Sequence, residues 1–409
     1  MTRFGFTPAG PNAHGRARRI GPATVTDAAQ APPDGGQLAS LADLVWAVAP
    51  EVPSELVASE CLDAIGSVAA LLPGAVTTHF GFESRLGAAD ARADFTLMAS
   101  VAGSGRAILA GAHPVIPRPR VLLDDPRWGR ARDFTTDWAD SASPLYEGAD
   151  FVCLEFDVAD GEPRASVPNV FFAQVQGNWI GDDARASDAR MTRARSTLER
   201  GVELLAGESL APATAAALRD CFAALPAHSW AFQVGVMGAR DPAPVRLQFN
   251  SMSRQEFLAF LRRVGWGGAL GTLDALVTDL GAFTDDITYA IDLLEHGLGP
   301  TIGLECYIRD DDLARPGGRW SAILDHLVAQ GWCRAAKRDA LLAYPGVSLV
   351  TDGEAALSPN LARAAGLFGR HATHALVRYL HHIKVVLRNE AIEAKGYLGV
   401  AQRWVARTG

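Results

Sequence analysis

The chain has 409 residues, 48% of them hydrophobic, which is enough to bury one large core or several ordinary ones. A formal net charge of −8, with no basic cluster interleaved with aromatics, speaks against a nucleic-acid partner, and apolar runs such as 68–72 are far too short to cross a bilayer. Five cysteines (Cys61, Cys153, Cys221, Cys306, Cys333) lie far apart with no CxxC spacing, which predicts reduced thiols in a cytoplasmic protein and no zinc site.

Residues 1–36 are rich in Pro, Gly, Ala and Arg and lack a continuous apolar stretch, so they read as a disordered tail, and 37–409 as a single domain. Helical spacing follows over 38–48 and 54–72, broken by Pro50 and Pro53 and stopped by Pro73-Gly74. Two alternating stretches come next, 76–84 (VTTHFGFES) and 94–101 (DFTLMASV). The segment 103–120 is full of Gly and Pro, and only 128–140 looks helical, so a second unit is read with a degraded helical half. Its strands are 151–158 (FVCLEFDV), where Val152, Leu154, Phe156 and Val158 oppose Cys153, Glu155 and Asp157, and 170–176 (VFFAQVQ), with Gln174 and Gln176 on the polar side.

Helices over 182–205 and 211–225, the second with Pro212 near its start, lead to strands 230–237 (WAFQVGVM) and 245–250 (VRLQFN). The polar sides there offer Gln233, then Arg246, Gln248 and Asn250. Ser253 and Glu256 form a capping box that opens a helix to 264, a second helix covers 272–280, and strands 286–293 and 301–308 present Thr288 and Asp292, then Glu305 and Tyr307. Helices 320–330 and 334–343 follow, then an extra helix over 359–378 capped by Ser358. The chain closes on strands 379–388 (YLHHIKVVLR) and 394–401 (AKGYLGVA), joined by the short polar NEAIE. In the first, His382, Lys384 and Arg388 oppose Ile383, Val385 and Leu387; in the second, Lys395 and Tyr397 oppose Leu398 and Val400.

The order helix, helix, strand, strand thus recurs five times. Ten antiparallel strands, each apolar on one side and polar on the other, can all bury their apolar side only if the helices share one face of the sheet. The expected fold is therefore α+β: a closed ten-stranded antiparallel β-barrel with a polar lumen, surrounded by helices.

Glu155 and Asp157 point the same way from one strand and are close enough to perturb each other, as a general acid/base or cation-binding pair or as a solvated strand face. Lys384 and Lys395, on adjacent strands, can hold an anion jointly or pair with lumen carboxylates. Of the histidines His371, His374, His381 and His382, the first two sit three apart on the expected helix without a third ligand at a recognisable spacing, and His382 is the acid/base candidate. Asp124-Asp125 and Asp310-Asp311-Asp312 adjoin prolines and read as loop turns. GWGGALG (265–271) follows a helix and lacks Lys-Ser/Thr, so it is no phosphate loop.

The five-fold pattern and these inward residues resemble the ABBA or PT-barrel fold, in particular aromatic prenyltransferases of the dimethylallyltryptophan synthase type. The resemblance rests on FGFES, with Glu83 and Ser84, on Arg246-x-Gln248-x-Asn250, on Glu305-x-Tyr307, and most closely on Lys395-x-Tyr397. It implies metal-independent transfer of a prenyl group from an allylic diphosphate to an aromatic or peptide acceptor, with no cofactor. Glu83 would polarise the acceptor, and Arg246, Gln248, Tyr307, Lys384, Lys395 and Tyr397 would bind substrate. The lumen inventory, however, sets Arg246, Lys384, Arg388 and Lys395 against Glu83, Asp94, Glu155, Asp157, Asp292 and Glu305. That balance keeps two alternatives open: acid/base chemistry on a cationic or peptide substrate by Glu155, Asp157, Glu305 and His382, and a non-catalytic ligand- or peptide-binding protein.

Overall fold

The computed structural model describes residues 40–158, 167–174, 184–206, 211–226, 228–240, 243–309, 313–315, 317–349 and 372–406. Their strands are β1 (His79–Arg85), β2 (Ala93–Ser100), β3 (Ala149–Phe156), β4 (Asn169–Gln174), β5 (Trp230–Val236), β6 (Val245–Asn250), β7 (Asp286–Leu294), β8 (Gly297–Tyr307), β9 (Gly346–Leu349), β10 (Ala372–Arg388) and β11 (Ala391–Ala406). Leaving out β9, each pairs antiparallel with the next, and β11 returns to pair with β1, so ten strands form a closed ring. The short β9 lies outside that ring, on the edge of β10 that β8 leaves uncovered.

Helices precede each strand pair. They are α1 (Leu41–Val48) and α2 (Ser59–Ala69); α3 (Gly105–Ala110), α4 (Arg120–Asp124), α5 (Gly129–Trp138) and α6 (Pro144–Gly148); α7 (Ala184–Ala206) and α8 (Pro212–Ala224); α9 (Arg254–Arg263) and α10 (Leu270–Gly281); and α11 (Gly318–Ala329) and α12 (Ala335–Ala343). The expected capping box is present at α9, where the Ser253 hydroxyl accepts from the Glu256 amide and the Glu256 carboxylate accepts from the Ser253 amide. In α11 the buried residues Trp320, Ile323, Leu324 and Leu327 trace one helical face. Among the described residues, no helix is long and apolar enough to cross a membrane.

The strand faces opposite the lumen carry the core. Phe80, Phe82, Phe95, Leu97, Leu154, Phe156, Val170 and Phe172 are all buried. The Phe82, Phe95 and Phe156 rings pack in sequence across β1, β2 and β3, and Trp128 covers Phe156 from the helical side. Farther round, Phe257 of α9 stacks on Tyr289 of β7 with centroids 3.8 Å apart. Each such aromatic contributes about 1.5–3 kcal/mol by leaving water, so the helical layer is what holds the barrel closed.

Three expectations need correction. The helical half of the second unit is not degraded: it is divided into four short helices, with Gly111 (φ +74°) ending α3. The extra helix expected over 359–378 is contradicted at its end, where 372–378 belong to β10, because pairing with β11 and β9 satisfies that backbone. And the polar linker NEAIE reduces to a two-residue turn, Asn389 and Glu390, both at positive φ, as a hairpin twisted like its strands requires. The expected N-terminal tail, Ser358, His371, Gln176 and Asp310 to Asp312 lie outside the described residues.

Candidate active site in the barrel lumen

Strand register decides which side chains meet inside the ring. Glu83 of β1 stands opposite Tyr397 of β11 on one side and Asp94 of β2 on the other. Lys384 of β10 stands between Glu305 of β8 and Lys395 of β11, and Arg246 of β6 faces Asp292 of β7. Paired residues project to the same face of a sheet, so these charges converge on a cavity of about 600 Å³. Its lining includes the cations Arg85, Arg240, Arg246, Lys384, Arg388 and Lys395 and the carboxylates Glu83, Asp94, Glu155, Asp157, Asp292 and Glu393. Residues Ala391, Ile392 and Glu393, at the turn between β10 and β11, contribute to one end of it.

The cations are largely spoken for. Arg246 donates through Nε and Nη2 to both oxygens of Asp292, at 2.7 and 3.1 Å. Lys384 donates to Glu305 at 2.9 Å, with both side chains less than a tenth exposed. Lys395 donates to Glu83 at 2.5 Å, and the Tyr397 hydroxyl donates to the other oxygen of the same carboxylate. Nearer the surface, Arg240 grips Asp157 through two hydrogen bonds of 2.9 and 3.0 Å. Arg388 differs: its Nε donates at 3.1 Å to the neutral hydroxyl of Thr301.

These pairings separate the carboxyls by acidity. Burial pushes Glu83 up, but the Lys395 and Lys384 ammonium groups and the hydrogen bonds from Lys395 and Tyr397 outweigh it and hold Glu83 far below the usual carboxylate range. For Glu305, burial is likewise overridden, chiefly by Lys384, and the group sits at about 2. Glu155 goes the other way: burial first and the Glu83 carboxylate second lift it to about 7, against the pull of Lys384 and Arg246. It makes no hydrogen bond or ion pair among the described residues, whereas every other lining carboxylate has a partner. One wall of the cavity thus carries a carboxyl poised between its two protonation states.

Beyond this charged tier the interior is filled mainly by rings and amides, with the Arg403 guanidinium 3.1 Å from Nε2 of His79. His382 stacks on Tyr397 with centroids 4.0 Å apart and lies 5.0 Å from Tyr307, and its Nδ1 is 2.6 Å from Nδ1 of His381. Burial brings the His382 imidazole down to about 3, so it is neutral, and its Nε2 is buried without a partner. The register shift in β10 between Leu380 and His382 places His381 as an extra residue beside this stack. Gln248 and Gln233 pair across β5 and β6, and Phe171 lies where a Cβ on Gly235 would be.

Of the residues singled out in the sequence, Glu83, Glu155, Asp157, Arg246, Lys384, Lys395 and Tyr397 line the cavity. Glu305, His382, Gln248 and Tyr307 do not; Glu305 and Tyr307 meet in a 3.0 Å hydrogen bond and act on the cavity through Lys384. Arg85, Arg240 and Glu393 are additional members. Arg240 stands in the connection between β5 and β6, where alternation gives no signal, while Arg85 and Glu393 continue the inward series of β1 and β11 and were legible by counting in twos. Asp125 caps a turn with Arg127, in keeping with a loop role. His374 lies on a strand, so helical spacing to His371 does not apply to it.

No family model and no curated protein matches the chain. Solved structures do match. PriB, in a binary complex with product diphosphate, aligns with a TM-score of 0.50 at 15% identity over 88% of this chain and 96% of its own. The fold is a PT barrel. Also similar are 5-dimethylallyltryptophan synthase from Streptomyces coelicolor (TM-score 0.43, 14% identity, 88% of this chain and 98% of that one) and AnaPT from Neosartorya fischeri (TM-score 0.49, 11% identity, 88% and 91%). In the present PT barrel the carboxylates Glu83, Asp94, Glu155, Asp157, Asp292 and Glu393 share one partly open cavity with the cations.

Proposed function

We propose that the protein is an enzyme that transfers a prenyl group from an allylic diphosphate to an aromatic or peptide acceptor inside the barrel. The observation that supports this reading best is the set of cations on one cavity: Arg246, Lys384, Arg388 and Lys395 from three strands, with Arg85 and Arg240 beside them. An ammonium has three N–H donors; Lys384 gives one to Glu305 and Lys395 one to Glu83, which leaves donors for phosphate oxygens in the space they line. The similarity to a barrel captured with product diphosphate agrees with it. These side chains would supply the counter-charge that the departing diphosphate needs, in place of a metal.

In the reaction the carbon–oxygen bond to diphosphate breaks, a carbon–carbon or carbon–heteroatom bond to the acceptor forms, and the proton the acceptor loses passes to the released diphosphate. Glu83, kept ionised by Lys395 and Tyr397, would accept a hydrogen bond from the acceptor and stabilise the positive charge that develops there. The Tyr397 ring, stacked on the neutral His382, would border the allylic cation. Thermal melts of the full chain with dimethylallyl, geranyl or inorganic diphosphate test this. Binding at a hundredfold over Kd should add about 2.7 kcal/mol of stability, and Arg388→Ala, which breaks no ion pair, should weaken it about tenfold. If no diphosphate protects the protein at millimolar concentration, the reading fails.

A second reading draws on Glu155. An unpaired carboxyl near neutrality, in a lumen whose charges otherwise balance, suits proton-transfer chemistry such as cyclisation, isomerisation or addition on a cationic or peptide substrate. Under it, a cationic peptide rather than a diphosphate would stabilise the fold, and Glu155→Gln would abolish turnover while leaving the protein folded.

A further inference from the structure

The cavity has no surplus of positive charge with which to receive a diphosphate. Six cations line it and six carboxylates line it with them, and Glu305 adds another carboxylate behind Lys384. A ligand carrying about three negative charges cannot be buried there without compensation, since an unbalanced charge in a low-dielectric site costs several kcal/mol. Three of the lining carboxylates cannot supply it cheaply: protonating Glu83, Asp157 or Asp292 would give up a hydrogen-bonded partner.

Glu155 has no such partner to lose among the described residues. On β2 it stands opposite Thr96, with Asp94 two residues along, and on β4 opposite Asn169. Its own strand brings Cys153 two residues before it, and Asp157, just past the strand's end, is held by Arg240. The charges that reach it across the lumen are Glu83 and Glu305, which repel its anion, and Lys384 and Arg246, which attract it. Both of those cations already serve other carboxylates, so an incoming diphosphate would claim them further and leave the Glu155 anion still less supported.

Resting on the prenyl-donor reading, we propose that the barrel admits a diphosphate by taking up one proton on Glu155. The proton comes from solvent, the carboxylate becomes a carboxylic acid, and no other bond is made or broken. The neutral acid then turns from a repelling charge into an O–H donor for a phosphate oxygen. Glu155 is thereby the side chain that sets how strongly this barrel prefers an anionic donor at a given pH. That Glu155 lies near neutrality means the step needs little driving force.

The test is calorimetric titration of the full chain with inorganic diphosphate and with dimethylallyl diphosphate, in buffers of different ionisation enthalpy, between pH 7 and 9. Wild type and Glu155→Gln are compared, so that protonation of the ligand itself cancels. Wild type should take up close to one proton more than the variant at pH 8. Its affinity relative to the variant should fall by up to about tenfold per pH unit above pH 7. Equal uptake and parallel pH curves overturn the inference while leaving the prenyl-donor reading standing; absence of binding to both proteins overturns both. The variant must also fold and melt no lower than wild type at pH 8, because a permanently neutral side chain is what the site is argued to favour; a misfolded variant counts against the inference.

Discussion

The two tiers of this lumen solve the same problem in opposite ways. Toward the turn between β10 and β11, inward side chains are charged and are stabilised by one another: Arg246 by Asp292, Lys384 by Glu305, Lys395 by Glu83. Beyond them the inward groups are mostly uncharged, with His382 between Tyr307 and Tyr397 and Phe171 against Gly235, and the Arg403 guanidinium lies 3.1 Å from His79. A buried ion pair is at best about neutral for stability compared with apolar residues of the same shape. The charged tier is therefore not what the fold requires, whereas the ring-filled tier is ordinary packing turned inward. Placing both in one barrel gathers the ion pairs at one end of it.

The comparison breaks first at the charged end. Lys384→Met strands the Glu305 carboxylate, 5% exposed, without its ammonium, and should cost about 3–5 kcal/mol in denaturant melts. Adding Glu305→Gln should recover most of that loss; a double variant as unstable as the single one would show that packing, not charge, sets the cost. At the other end the failure is steric. Gly235→Ala drives a methyl into the Phe171 ring, and should cost about 1–3 kcal/mol with no dependence on salt or pH.

The same division marks how far the sequence could be read. Alternation identified the lumen-facing set on β3, β6, β10 and β11, because a period of two is a local property and survives any register. Which cation meets which carboxylate is not local: Lys395 and Glu83 lie 312 residues apart and meet only because the ring closes. For that reason a count of lumen charges was available from the chain, while the lining carboxyl that has no partner among the described residues, Glu155, was not. The reading failed outright where tertiary pairing overrode a helical pattern, at 372–378, and it missed β9, four residues too short to carry a pattern. Arg240 escaped because it reaches Asp157 from a connection rather than a strand.

Acid–base behaviour sharpens the contrast, and Glu155 gives the larger effect. Its carboxyl rises from 4.5 to about 7 on folding, so between those values the folded chain holds more protons than the unfolded one and stability falls as pH rises. Glu155→Gln should be neutral below pH 4.5 and gain about 3 kcal/mol over wild type above pH 7.

His382 should behave as the mirror image, with the smallest effect near neutrality. Its imidazole falls from 6.5 to about 3, so across that interval the unfolded chain binds the extra proton and stability drops as pH falls. Phenylalanine keeps the stack on Tyr397 and removes the buried, unpartnered Nε2, at the cost of the contact with His381. At pH 8 these terms offset to within about 1 kcal/mol. At pH 5, His382→Phe should melt above wild type, because it no longer resists a proton that the unfolded chain accepts. A variant that instead loses ground at pH 5, where the wild-type ring would then have to be charged and supported, would mean that the stack of His382 on Tyr397 carries charge and that the division drawn through this lumen is wrong.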